Sequence, residues 1–87
     1  MREVVFDTET TGFDPFNGDR VVEIGCVVVE DYIPTGESFH RYVNPERNMP
    51  QSAENIHGLS AEFLKDHPVF SEVVSEFRDF CGDMNLV

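Results

Sequence analysis

The sequence predicts an α/β fold: a three-stranded antiparallel meander, then a crossover helix, then the opening of a fourth strand. Three observations carry this reading. Apolar, β-favouring runs at residues 2–8, 20–29 and 37–43 are joined by short, turn-rich loops. Apolar residues at 70, 73, 74, 77, 80 and 81 repeat at the i, i+3, i+4, i+7 spacing of one amphipathic helix. Asn85-Leu86-Val87 then returns to a strand-like pattern.

The first strand is built on Val4-Val5-Phe6, and Gly12 marks its exit. Side chains two apart on a strand share a face, so Asp7 and Glu9 point one way and Thr8 the other. The loop from Phe13 to Asp19, with Pro15, Asn17 and Gly18, is dense in turn residues. Residues 20–29 are almost wholly apolar, which predicts a strand covered on both faces. Glu23 is the acid inside that strand. It reads as an exposed edge position or a partner of Arg20, with support of the neighbouring carboxylates as the alternative. Asp31 to Gly36, with Pro34, predicts a hairpin connection longer than the tightest kind. The third strand alternates Phe39, Arg41 and Val43 with Ser38, His40 and Tyr42, and Asn44-Pro45 closes it.

Residues 44–58 predict an irregular connection with a helical turn around Ser52 to Asn55. Ser60 reads as the N-cap of a short helix reaching Lys65, Pro68 interrupts it, and Gly82 ends the 70–81 helix. Glu72, Glu76 and Asp79 read as a solvated helix face. His40 reads as structural, and His67 as a solvated turn residue.

Eighty-seven residues make one small domain at most. The 40% hydrophobic and 26% charged composition is that of a soluble globular chain. No apolar run approaches the ~20 residues of a membrane span, and no secretory signal opens the chain, so a cytoplasmic protein is expected. Cys26 and Cys81 form no metal-type pair and read as small core residues. Six basic residues against 17 acidic ones give a net charge of −11. That balance disfavours gripping nucleic acid through Lys and Arg alone and favours a cation or a basic partner protein. A bound metal ion would supply positive charge where a phosphate sits.

Asp7 and Glu9 are the chemistry-bearing pair. Two acids side by side on an apolar strand repel each other, and a hard divalent cation would offset that cost. The plain alternative is a strand end opening into an acidic, solvated turn. No Ser-His-Asp arrangement, phosphate-cradling glycine loop or aromatic-basic stripe accompanies them.

Phe6-Asp7-Thr8-Glu9-Thr10-Thr11-Gly12 resembles the first motif of the DEDD superfamily of 3′→5′ exonucleases, in the form found in the proofreading (epsilon) subunits of bacterial DNA polymerase III. Ile56-His57-Gly58-Leu59-Ser60, with Phe63-Leu64 following, resembles the His-Gly-Ile segment of the same subunits. It stands more than forty residues downstream, in the expected order. The resemblance implies a ribonuclease H-like fold, truncated at the start of a fourth strand that lies parallel to the first.

It also implies a chemistry. In that family four acids hold two metal ions, magnesium or manganese, and a histidine acts as general base. Asp7 matches the first acid, which bridges both ions. Glu9 matches the second, on the ion carrying the nucleophilic water. The third acid, the histidine base and the fourth acid would all follow Val87, and His40, His57 and His67 come too early to match that histidine. Thr10, Thr11 and Gly12 fall where the family grips the 3′-terminal nucleotide, and Ile56 and His57 fall beside it. The threonines also read as a turn capped by its own hydroxyls, and His57 as a loop histidine bonded to backbone.

The expectation is therefore the N-terminal half, residues 1–87, of a 3′→5′ exonuclease domain. The intact enzyme would hydrolyse terminal phosphodiesters of single-stranded or frayed DNA and dock on a polymerase catalytic subunit. The stop within a strand points to a fragment, expected to be inactive alone. An oligoribonuclease is the nearest rival, although those enzymes tend towards Leu-Glu-Met where this chain has Thr8-Glu9-Thr10. A non-catalytic interaction module is the rival from another class.

Overall fold

The computed structural model describes every residue except Pro15 and Asn17, so the turn reading at those two positions lies outside the described residues. Three long strands, β1 (Arg2–Thr10), β2 (Val21–Glu30) and β3 (Ile33–Tyr42), form the meander. A short β4 (Asn85–Leu86) lies parallel to β1 at Glu3 and Val4, giving the sheet order β3-β2-β1-β4. The crossover carries α1 (Gln51–His57), α2 (Ala61–Leu64) and α3 (Phe70–Cys81). This is the expected architecture, with α1 longer than the turn read at Ser52 to Asn55. Among the described residues no helix is long and apolar enough to cross a membrane.

Sheet register decides which side chains share a face. Phe6 lies opposite Cys26, and Cys26 opposite Phe39, so these three face the same way. α3 packs on that side. Val4, Cys26, Phe39, Val43, Val73 and Cys81 form one buried cluster, with Ile24, Phe77 and Phe80 against it. Phe77 stands 6.1 Å from Phe6 and 5.9 Å from Phe39, in the edge-on and tilted arrangements aromatic rings prefer. Burial pushes both thiols above their ordinary range, so Cys26 and Cys81 sit in the core as neutral groups, as expected. Ser60 caps α2 by accepting the Phe63 N–H at 3.1 Å, which sets Leu64 fully inside.

Several expectations change. β2 is covered on one face only: Cys26 and Val28 are buried beneath α3's side, while Val27, pointing the other way, is 43% exposed. The β2–β3 hairpin is tighter than read. Glu30 pairs with Ile33, and Asp31 and Tyr32 form a two-residue turn with φ of 51° and 71°. Left-handed residues match the turn to the strand twist, and Pro34 is tolerated because β3 is a sheet edge. Glu23 is neither an edge residue nor an Arg20 partner. It sits half-buried in a central strand, and its Oε2 lies 2.5 Å from His40 Nε2, diagonally across on β3. Arg20 instead reaches the Pro45 carbonyl at 3.4 Å. His67 is not simply solvated; its ring stacks near Tyr42 (5.3 Å) and Phe63 (4.9 Å). Glu76 is held by Arg41 at 2.8 and 3.0 Å rather than free on the helix face.

Candidate functional site

β1 presents Asp7 opposite Gly25 and Glu9 opposite Glu23, so three carboxylates line the sheet face that α3 leaves open. Together with Thr8 they border a groove of about 280 Å³. Gly25 contributes no side chain, which keeps the space beside Asp7 clear. Among the described residues neither Asp7 nor Glu9 forms an ion pair, and Asp7 Oδ1 accepts only the Thr8 N–H, at 2.9 Å. Unpaired hard oxygen donors next to each other suit a hard divalent cation. Among the described residues no group of three or more His, Cys, Asp or Glu gathers as a ligand set, so the chain offers part of a coordination shell.

A second feature adjoins the groove. Where β1 ends, a cavity of about 230 Å³ opens between the segment Thr8 to Phe13 on one side and Ser52, Ala53, Ile56 and His57 of α1 on the other. The structure thus brings Glu9, Thr10, Thr11, Gly12, Ile56 and His57 to one cavity, while Asp7 borders the groove and not the cavity. Glu9 and Thr8 border both. The pattern reading missed Phe13, which is 96% exposed at the mouth, and Ser52 and Ala53 on the opposite wall. A phenylalanine immediately after Gly12 was the available signal for the first.

The turn after β1 is heavily bonded. Thr10 Oγ1 donates to the Gly12 carbonyl at 2.6 Å. Thr11 is 2% exposed; its hydroxyl donates to Asp19 Oδ1 at 2.9 Å and accepts the Arg20 N–H at 3.0 Å. The Asp14 N–H donates to Asp19 Oδ2 at 3.0 Å, and Arg47 Nη1 donates to Asp19 Oδ1 at 3.1 Å. The Asp14 amide, the Thr11 hydroxyl and Arg47 together hold the Asp19 carboxyl below its ordinary value. Both threonine hydroxyls are therefore spent inside the turn.

His57 ends α1, and Gly58, with φ of 74°, caps it in the left-handed conformation that a glycine adopts freely. The Leu59 N–H donates to His57 Nδ1 at 3.0 Å. In the neutral ring that bond assigns the proton to Nε2, which is buried and has no hydrogen-bond partner among the described residues.

The family model described as Exonuclease (RNase_T) matches residues 4–87. DNA polymerase III subunit epsilon of Rickettsia felis is 49% identical over 87 residues, covering 100% of this chain and 38% of the relative. The same subunit of Escherichia coli K12 is 41% identical over 90 residues, covering 99% and 37%. The chain spans less than two-fifths of the length of these curated relatives. Among solved structures, exonuclease X in complex with 5′ overhanging duplex DNA superposes with a TM-score of 0.74 at 27% identity, over 85% of this chain and 42% of that one. E. coli exonuclease I in complex with an oligonucleotide reaches 0.82 at 16% identity, over 98% and 19%, a likeness of fold. The ribonuclease H-like sheet, the paired acids at the end of its first strand and the match across nearly the whole chain agree: this chain belongs to the exonuclease family.

Proposed function

We propose that the chain is the N-terminal part of a 3′→5′ DNA exonuclease that proofreads for a replicative polymerase. It would act in the cytoplasm on single-stranded or frayed 3′ ends, docked to the polymerase catalytic subunit. One observation carries the reading: Glu9 borders both the carboxylate groove and the cavity beside α1. A group held in the cavity therefore has its link to the next unit beside Asp7 and Glu9.

Asp7 and Glu9 would hold the divalent ions, with Gly25 leaving them room. Bound there, two magnesium or manganese ions would ready a water for attack and offset charge on the leaving 3′ oxygen. The cavity, about 230 Å³, lies below the ~300–1,000 Å³ of sites that enclose a whole drug-sized ligand, and would take the base or sugar of a terminal nucleotide with the rest left outside. Thr10, Thr11 and Gly12 form one wall and bring backbone close. Ile56, 71% exposed, offers an apolar contact, and Phe13 offers a stacking face at the mouth. His57 acts as a donor through Nε2–H. With Nδ1 engaged by Leu59 and Nε2 protonated, it has no free lone pair to serve as a base. The acidic balance, net −11, leaves phosphate binding to the ions more than to Lys and Arg.

The test uses the protein extended to the length of its relatives, on a 3′-labelled single-stranded oligonucleotide with magnesium or manganese. Stepwise 3′ trimming is expected, abolished by Asp7→Ala. The 87-residue chain should be inert, since lack of a general base alone costs ~10²–10⁴ in rate. Trimming that survives Asp7→Ala would overturn the reading.

A further inference from the structure

We propose that Asp19, locked by Arg47, is a positioning residue for the substrate: it sets the spacing between the two walls of the nucleotide cavity. The inference rests on the exonuclease reading above.

The two walls come from distant parts of the chain. One is the turn after β1; the other is α1, reached only through the connection 44–50. Arg47 lies in that connection. Its Nη1 donates to Asp19 Oδ1 at 3.1 Å and to the Gly18 carbonyl at 2.9 Å, while its Nε donates to the Asn48 carbonyl at 3.0 Å. The guanidinium thus ties the segment that leads into α1 directly to the loop behind the first wall. A planar fork used this way fixes direction as well as distance.

On the other side, Asp19 braces the first wall. It accepts the hydroxyl of Thr11, whose own N–H donates to the Arg20 carbonyl at 2.8 Å. Its carboxyl group also packs flat against Gly12: a Cβ built there would stand 2.7 Å from the Asp19 carboxyl carbon. The carboxylate is pinned by donors from Thr11, Asp14 and Arg47, so it cannot swing aside to make room. Gly12 is thereby held at one depth in the wall. Arg47 also neutralises an anion that would otherwise sit beside an anionic substrate.

None of these atoms needs to touch the nucleotide. Asp19 acts through Thr11 and Gly12, and Arg47 through Asp19 and the path into α1. A wall free to drift would lose contacts that hold substrate and transition state alike, which appears as a higher KM at retained kcat.

The experiment measures steady-state trimming of a 3′-labelled single-stranded oligonucleotide by the extended protein, comparing Asp19→Asn, Arg47→Met and the double variant, with Tm followed for each. KM should rise about tenfold in each single variant, the scale of one lost charge-assisted hydrogen bond, with kcat within about twofold. The double variant should be less impaired than the product of the two single effects, because the Asp19–Arg47 contact is lost in both. Wild-type-like KM in both single variants would overturn the inference while leaving the exonuclease reading intact. So would a fall in kcat at unchanged KM, which marks a merely structural role. Should Asp19→Asn fail to fold, Arg47→Met decides alone, since it leaves the Thr11–Asp19–Asp14 bonds in place. Absence of trimming by the unsubstituted protein would instead count against the exonuclease reading itself.

Discussion

The two faces of the sheet are made by the same strands and do opposite things. On one, Val4, Phe6, Cys26 and Phe39 meet Val73, Phe77 and Cys81 of α3. On the other, Val5, Asp7 and Glu9 stand beside Glu23, Gly25, Val27 and His40, and among the described residues no helix covers them as α3 covers the first face. The twofold alternation of a strand separates the two roles residue by residue. The packed face supplies the apolar burial that holds the sheet together. The open face spends some of that stability on like charges placed opposite one another, a cost tolerated because solvent screens it and useful because it leaves hard donors unpaired.

The comparison breaks first at the core. Phe39→Ala removes a ring that contacts Phe77, Phe80 and the Arg41 guanidinium. It should cost ~3–5 kcal/mol of unfolding free energy in urea titrations of the 87-residue chain. Val27→Ala, on the adjacent strand but the open face, should cost less than ~1 kcal/mol. Equal losses would mean that both faces are covered in solution.

A smaller effect of opposite sign is expected at the carboxylates. Glu9→Gln removes one of two like charges placed directly across β1 and β2, and should stabilise the metal-free chain by ~0.2–1 kcal/mol. Manganese should raise the Tm of the unsubstituted chain and leave that of Asp7→Ala unmoved. A destabilised Glu9→Gln chain would show that the open face carries its charges at no cost.

The smallest effect is a pH dependence. The Asp19 carboxyl is held below its ordinary 3.8 by the Asp14 amide, the Thr11 hydroxyl and Arg47. A carboxyl lowered in the folded state stabilises the fold fully above its unfolded pKa, and the contribution is lost as pH falls through the lowered folded value. The stability gap between the unsubstituted chain and Asp19→Asn should therefore be widest above about pH 5 and should close progressively below 3.8, as read by urea midpoints from pH 2 to 6. A gap that does not change with pH would assign the effect of Asp19 to shape alone.

Much of this molecule is written in neighbouring residues. Alternation marks β1 and puts Asp7 and Glu9 on one face; the 3.6-residue rhythm marks α3 to the residue; Ser60 announces the start of α2. Each is a local matter, settled within one or two turns or a single strand, so chain order alone determines it. The contacts that were not legible join residues far apart in the chain: Glu23 with His40, Tyr42 with Phe63 and His67, Arg47 with Asp19. Their partners are chosen by sheet register and by where the crossover returns, and a shift of one residue in register would exchange the faces. The tight Asp31-Tyr32 turn was missed for the same reason: no glycine or asparagine advertises it, and pairing of β2 with β3 imposes its left-handed backbone. The sequence alone thus determined the strands, the helix and the paired acids. Only the tertiary structure decided which face stays open and how the two walls of the cavity are tied, because both follow from long-range pairing that no local pattern encodes.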